Sequence, residues 1–219
     1  MISHLKQSAS LIQQLHALRF SRGMIVLAWS LLLWGSGGIG EGAMLTQSTF
    51  EDGENAPWET FVTPNGTVGG AGWPTLVSFE LAQPGAPSKA LQFKVGQVRY
   101  DPENEPEQGG GVVAQITTER GKLQLSAHIA VTYHSPKDKR NLAGGLFEWI
   151  VDDQVIASHD MGPIENHAIL RHHLQASCDV NAGVHSIRLR ITRPFTSTPG
   201  QDAPFQYVDD LLIRHASSP

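Results

Sequence analysis

The sequence predicts an all-β protein, a two-sheet antiparallel β-sandwich, on three observations. Leu123, Leu125, Ala127, Ile129, Val131 and Tyr133 alternate with Gln124, Ser126, His128, Ala130, Thr132 and His134, a period of two held over 12 residues. The 22 Gly and 13 Pro are scattered through 219 residues, so turns are frequent and long helices do not fit between them. Apolar residues almost nowhere recur at the three-and-four spacing of a helix.

Met24 to Trp34 is an apolar run of 11 residues, preceded by Arg19 and Arg22 and followed by a Gly-rich stretch ending at Ala43. That order of positive, apolar and small residues is the order of a secretory signal, and the run is short for a membrane span. Residues 1–43 are therefore expected to be a signal helix or an uncleaved anchor. Export follows in both cases, to the medium or the cell surface, and a membrane is a partner only if the segment stays attached.

The sandwich is expected over residues 44–214, with 215–219 as a tail. Strands are predicted at 57–62, 75–82, 89–99, 111–119 and 123–134. Phe147 to Val151 and Val155-Ile156 flank Asp152-Asp153-Gln154, which reads as a tight hairpin. Further strands are predicted at 166–177, 185–192 and 205–214. In 185–192, His185, Ile187, Leu189 and Ile191 form one face, and Ser186, Arg188, Arg190 and Thr192 form the other. Nine or ten strands at this spacing fit a jelly roll or an immunoglobulin-like sandwich. The connections 100–110, 134–145 and 193–205 exceed hairpin length. Such loops rim a binding surface or are mobile.

Composition narrows the function. The formal charge is −5, and residues from 44 onward hold 13 bases against 20 acids. A domain of this sign lacks the phosphate-neutralising surface of a nucleic-acid binder. The single Cys178 excludes an internal disulfide and has no context of an activated thiolate. Stability then rests on packing and on a metal, if one binds.

Two acidic stretches stand at opposite ends of the folded part: Phe50-Glu51-Asp52-Gly53-Glu54-Asn55-Ala56-Pro57-Trp58, and Tyr207-Val208-Asp209-Asp210-Leu211. If the first and last strands pair, these carboxylates meet, and a structural calcium is the physical expectation. The alternative is solvated edge charge that blocks edge-to-edge pairing.

These two stretches, the Ser88-Lys89-Ala90-Leu91-Gln92-Phe93 entry into a strand and the Val151-Asp152-Asp153 hairpin together resemble the galactose-binding-like jelly-roll domains. Among those, the resemblance is greatest to the carbohydrate-binding modules of xylanases and glucanases, and it covers about residues 48–214. It implies a jelly roll and a structural calcium held by Glu51, Asp209 and a backbone carbonyl near Lys89. It also implies a polysaccharide or glycan partner, whose sugar faces stack on aromatic rings. Trp73, in a Gly-rich loop, and Tyr100, opening the long acidic loop, are the candidates for that contact. Trp58, Tyr133 and Trp149 read instead as core.

The remaining constellations carry less. Asp101, Glu103, Glu105 and Glu107 read as a solvated loop. His172 and His173 are adjacent on a strand and point to opposite faces, so with His128, His159 and His167 they lack the spacing of a zinc site. Arg171, His173, Arg188 and Arg190 are expected on polar strand faces, as a basic strip for acidic glycans or as ordinary solvated side chains. Glu148 with Asp152 or Asp153 is the only carboxylate cluster near a cleft, and no Gly-x-Ser-x-Gly occurs. Asn65-Gly66-Thr67 is a glycosylation sequon. The first expectation is an exported, non-catalytic carbohydrate-binding protein. A surface or matrix protein binding protein partners, and a small polysaccharide-degrading enzyme, are the alternatives.

Overall fold

A computed structural model describes residues 43–82, 84–100, 107–136, 140–194 and 203–217. The signal segment, Asp101, Glu103, Glu105 and the last two residues of the tail lie outside the described residues, as does the side chain of Glu107. Thirteen strands and no helix occur among the described residues: β1 (Ala43–Ser48), β2 (Glu59–Val62), β3 (Gly66–Thr67), β4 (Thr75–Phe79), β5 (Ser88–Phe93), β6 (Gly96–Gln97), β7 (Glu107–Thr118), β8 (Gly121–Thr132), β9 (Leu146–Val151), β10 (Gln154–Asp160), β11 (Ile169–Val180), β12 (Gly183–Pro194) and β13 (Phe205–Ser217).

They form two antiparallel sheets. Sheet A runs β11-β8-β13-β5-β4, with β1 also on β13; sheet B runs β10-β9-β12-β7-β2. Alternation drives both. On β8, Leu123, Leu125, Ala127, Ile129 and Val131 face the partner sheet and are fully buried, whereas Gln124, Ser126, His128 and Thr132 face outward. On β12, Ile187, Leu189 and Ile191 are buried in the same way. Trp149, Phe147, Phe93 and Phe50 fill the space between the sheets, and Trp58 lies against Trp149 with ring centroids 6.1 Å apart. Trp58, Tyr133 and Trp149 are thus core, as strand alternation suggests for Tyr133 and Trp149 and the resemblance for Trp58.

The hairpin at Asp152-Asp153 has both residues left-handed, at φ 47° and 68°, the geometry of a two-residue turn whose twist matches its strands. The expected strand 89–99 is split into β5 and β6, and β13 continues past residue 214 to Ser217. β7 starts at Glu107, inside the stretch read as loop, because Pro194 to Thr192 on β12 pair with Glu107 to Gly109.

The chain termini of the domain meet. Ala43 to Ser48 run antiparallel to His215 to Leu211. β13 pairs with β5 through Gln206 to Val208, then changes neighbour to β1 from Leu211 onward. At that change its register against β8 shifts between Asp209 and Leu212, and Asp210 is left-handed at φ 50°. At this bulge Asp209 is buried against Ser88, while Asp210 reaches His128.

A second, smaller apolar cluster covers part of the outer face of sheet A. Leu81, Ala90, Ala130 and Tyr207 are buried there, with Val77, Phe79 and Phe205 packed on them. Phe79 stacks on Tyr207 with centroids 3.8 Å apart. Ala130 is therefore buried although it sits on the face that alternation leaves to solvent.

Candidate functional site

The gap where β13 changes partners is filled by the acidic residues of both ends. Asp209 is 1% exposed. Its carboxylate accepts from Ser88 Oγ at 2.6 Å and from the Asp210 N–H at 2.7 Å. Glu51 accepts the Lys89 N–H at 2.7 Å. Burial, then the nearby charges of Asp210 and Glu51, outweigh these hydrogen bonds and push the Asp209 carboxyl up to about 6. Gly53, at φ +82°, lets the chain reverse just after Glu51, and its N–H donates to Phe50 O at 3.0 Å. Glu51, Lys89 and Asp209 are thus brought to one place from three segments.

That place suits a hard cation in donor type, all oxygen, and in charge, since neither Glu51 nor Asp209 forms an ion pair with a basic side chain among the described residues. Two carboxylates are the extent of the charged donors. The described residues contain no cluster of three or more His, Cys, Asp or Glu placed to hold a metal. Backbone and hydroxyl oxygens would complete the coordination.

A different site lies on the outer face of sheet A, beyond the bulge. The registers place Arg214, Gln124 and Ser177 in one row across β13, β8 and β11. Leu212, Ser126 and Gln175 form the next row. Together with Leu125 and Ala176 they line an open groove of about 490 Å³. In the third row His128 lies between Asp209 and His173, and the bulge residue Asp210 reaches it: His128 Nδ1 lies 2.9 Å from Asp210 Oδ2, and the two imidazoles stack at 4.5 Å. Burial first, then the charge of His128, hold the His173 pKa below the ordinary imidazole value. The sequence carries a signal for this groove: Gln-x-Ser occurs at outward positions of both β8 and β11, and antiparallel pairing sets each Gln opposite the other strand's Ser.

Trp73 and Tyr100 stand elsewhere. Trp73 stacks on Phe205, with centroids 6.0 Å apart and planes 6° apart, at the opposite end of β13 from the groove. Any side chain on Gly69, at φ +133°, would strike its ring at 2.5 Å. Trp73 is therefore half-buried, while Tyr100 is 66% exposed. This end is braced by two buried polar side chains. Arg193, 1% exposed, donates to Ala143 O, Val95 O and Asn141 Oδ1 at 2.7, 3.1 and 3.2 Å. Gln206 donates to Gly144 O at 2.9 Å and accepts the Val95 N–H at 2.9 Å.

The expected basic strip is divided. Arg171 and His173 belong to sheet A, where Arg171 Nε donates to Glu80 O at 2.8 Å; Arg188 and Arg190 belong to sheet B. There Arg190 pairs with Glu148 at 2.7 Å and Arg188 with Asp153. Asp152 pairs with His185 at 2.6 Å. The three carboxylates considered for catalysis are each held in a separate ion pair with β12. Burial, then Asp179 and Asp152, push the Cys178 thiol up, away from thiolate.

No protein-family model matches the chain, and no curated protein matches it. Among solved structures, it is similar to the CBM22-1 xylan-binding domain of Paenibacillus barcinonensis Xyn10C, at 11% identity and TM-score 0.42, over 83% of this chain and 100% of that one. It is also similar to TmCBM61 in complex with β-1,4-galactotriose, at 11% identity and TM-score 0.40, over 77% of this chain and 95% of that one. The C-terminal family 22 carbohydrate-binding module of Clostridium thermocellum Xyn10B matches at 10% identity and TM-score 0.41, over 83% of this chain and 99% of that one.

Proposed function

We propose that the chain is an exported, non-catalytic carbohydrate-binding module of jelly-roll type, with a structural calcium where its first and last strands meet. The observation that carries this reading is the groove on sheet A. Its two amides, two hydroxyls and one guanidinium stand on three adjacent strands about 4.8 Å apart, with Leu212 the apolar side chain among them. Donors and acceptors at that spacing suit a chain of sugar hydroxyls, and Leu212 offers an apolar contact to a C–H face. Being open rather than enclosed, the groove leaves room for a polymer. Trp73 and Tyr100, at the other end of the sandwich, are the aromatic side chains for a further sugar contact.

Calcium, if held by Glu51, Asp209 and a carbonyl near Lys89, supplies the positive charge that the buried Asp209 carboxylate lacks and ties three segments together. Residues 1–43 supply the export signal. The sugars named for the similar structures set the first ligands to try. Affinity electrophoresis and calorimetry with xylo- and β-1,4-galacto-oligosaccharides are expected to show binding that Gln175→Ala and Arg214→Ala each weaken roughly tenfold. A chain that ignores every neutral and acidic glycan, or binds one equally well in both variants, refutes the groove as the site.

A further inference from the structure

Three pairs of histidines surround β11 and its entry, and their geometries differ. His159 and His172 stack with centroids 3.6 Å apart and planes 3° apart. His128 and His173 stack at 4.5 Å and 28°. The lone pairs of an imidazole lie in the ring plane, so stacked rings aim them side by side and not at a common point. His128 Nδ1 is in any case already engaged by Asp210.

The third pair is edge-on. His134 and His167 have planes 61° apart, and their Nδ1 atoms are 3.0 Å from each other. At an ordinary metal–imidazole distance of about 2.0–2.1 Å, two nitrogens so placed subtend about 90–95° at a shared ion. That is the angle between neighbouring ligands of a tetragonal or octahedral centre, and it is narrower than a tetrahedral zinc requires. Both side chains are exposed, which leaves the other coordination positions to water.

The backbones that carry the two rings are fixed to each other. The Ser135 N–H donates to Asn166 Oδ1 at 2.7 Å, and Asn166 Nδ2 donates back to Ser135 O at 3.0 Å. The His167 N–H donates to Tyr133 O at 2.9 Å. His167 is itself left-handed, at φ 61°, a conformation a non-glycine residue holds only where its surroundings impose it.

We propose that His134 and His167 form a two-imidazole chelate for a divalent transition ion, with Cu²⁺ the preferred occupant. Cu²⁺ favours tetragonal nitrogen and oxygen ligation and heads the affinity order of the first-row divalent ions. Loading needs both Nδ1 lone pairs. The ring whose proton lies between the two nitrogens moves it to its own Nε2, or releases it to water if that ring is charged; no electron is transferred. With no third His, Cys, Asp or Glu placed to hold a metal among the described residues, water completes the site. The proposal is independent of the glycan groove and of the calcium clamp.

The experiment is a titration of the full chain with CuCl₂ in excess Ca²⁺, followed by calorimetry and electron paramagnetic resonance. The expected result is one bound Cu²⁺ with coupling to two nitrogens, and weaker binding of Zn²⁺. His134→Gln and His167→Gln should each weaken Cu²⁺ binding roughly tenfold or more. The double variant, with neither imidazole, should bind more weakly than either single one, and His159→Gln should be without effect. Both substituted side chains are exposed, so unchanged thermal melting confirms that the variants fold. Binding kept within about twofold in either single variant, or coupling to one nitrogen only, overturns the proposal.

Discussion

The hydroxyl of Ser88 donates to Asp209 Oδ2 across 2.6 Å, joining residues 121 positions apart at the point where β13 exchanges β5 for β1. A single hydroxyl and one backbone N–H are the hydrogen bonds to a carboxylate that is 1% exposed. The cost of burying that charge is what makes the clamp sensitive to pH and to cations.

Asp209 titrates at about 6 in the fold, against 3.8 unfolded. Because the folded value is the higher one, the folded chain keeps its proton while the unfolded chain loses it, and stability falls as pH rises from about 4 to above 6. In chelator the loss attributable to this group is about 3 kcal/mol, and Asp209→Asn should abolish it. If calcium binds here, it should raise the melting temperature by roughly 6–10 °C at pH 7 and by little at pH 4.5. Thermal melts of both proteins across pH, with and without Ca²⁺, check this.

Glu51→Ala removes the acceptor of the Lys89 N–H and one of the two carboxylates. The expected outcome is a loss of about 1–2 kcal/mol in chelator, with the calcium-dependent rise in melting temperature abolished as well. Glycan affinity of the folded variant should be unchanged, since Glu51 lines no part of the groove. Loss of glycan binding by a fully folded Glu51→Ala protein would move the ligand site to the clamp.

Arg193→Met removes the guanidinium that donates to the carbonyls of Val95 and Ala143 and to Asn141 Oδ1, the last of which keeps the Ala143 N–H. Burial already lowers the guanidinium to about 10, because no carboxylate among its partners offsets the desolvation. A loss of about 3–5 kcal/mol is expected in urea unfolding. Hydrogen exchange should speed up first at residues 95 and 141–145, which this side chain ties to β12.

His185 donates from Nδ1 to Asp152 at 2.6 Å and from Nε2 to Asn181 O at 2.9 Å, so both bonds require the imidazolium. The hydrogen bond to Asp152 raises the His185 pKa against the opposing effect of burial. Its stabilisation is therefore complete below the unfolded value of about 6.5 and is lost as pH rises through the higher folded one. On Asp152, burial raises the pKa but the bonds from His185 and the Ser186 N–H prevail and lower it. His185→Gln should cost about 1–3 kcal/mol at pH 6 and clearly less at pH 9. An equal cost at both values would show that the ring acts only by packing.

The alternating residues of β8 and β12, the Asp152-Asp153 hairpin and the meeting of the two acidic ends were all legible in the sequence. Each depends on local geometry: a period of two assigns faces, two consecutive Asp residues tolerate a left-handed turn, and carboxylates near both ends converge once the terminal strands pair. Which strands lie side by side is a different matter, because pairing joins residues far apart in the chain and no local pattern encodes it. Only the order β11-β8-β13 sets Gln175 and Ser177 beside Ser126 and Gln124 and adds Arg214 to make a groove. Only the packed loops show that Arg193 points inward, where three carbonyl-type oxygens make burial tolerable, and that Ala130 is covered by a second apolar cluster. The sequence by itself determined the sandwich and the faces of its strands; the tertiary structure decided which of those faces carries a groove, because a groove is made by neighbours across strands and not along them.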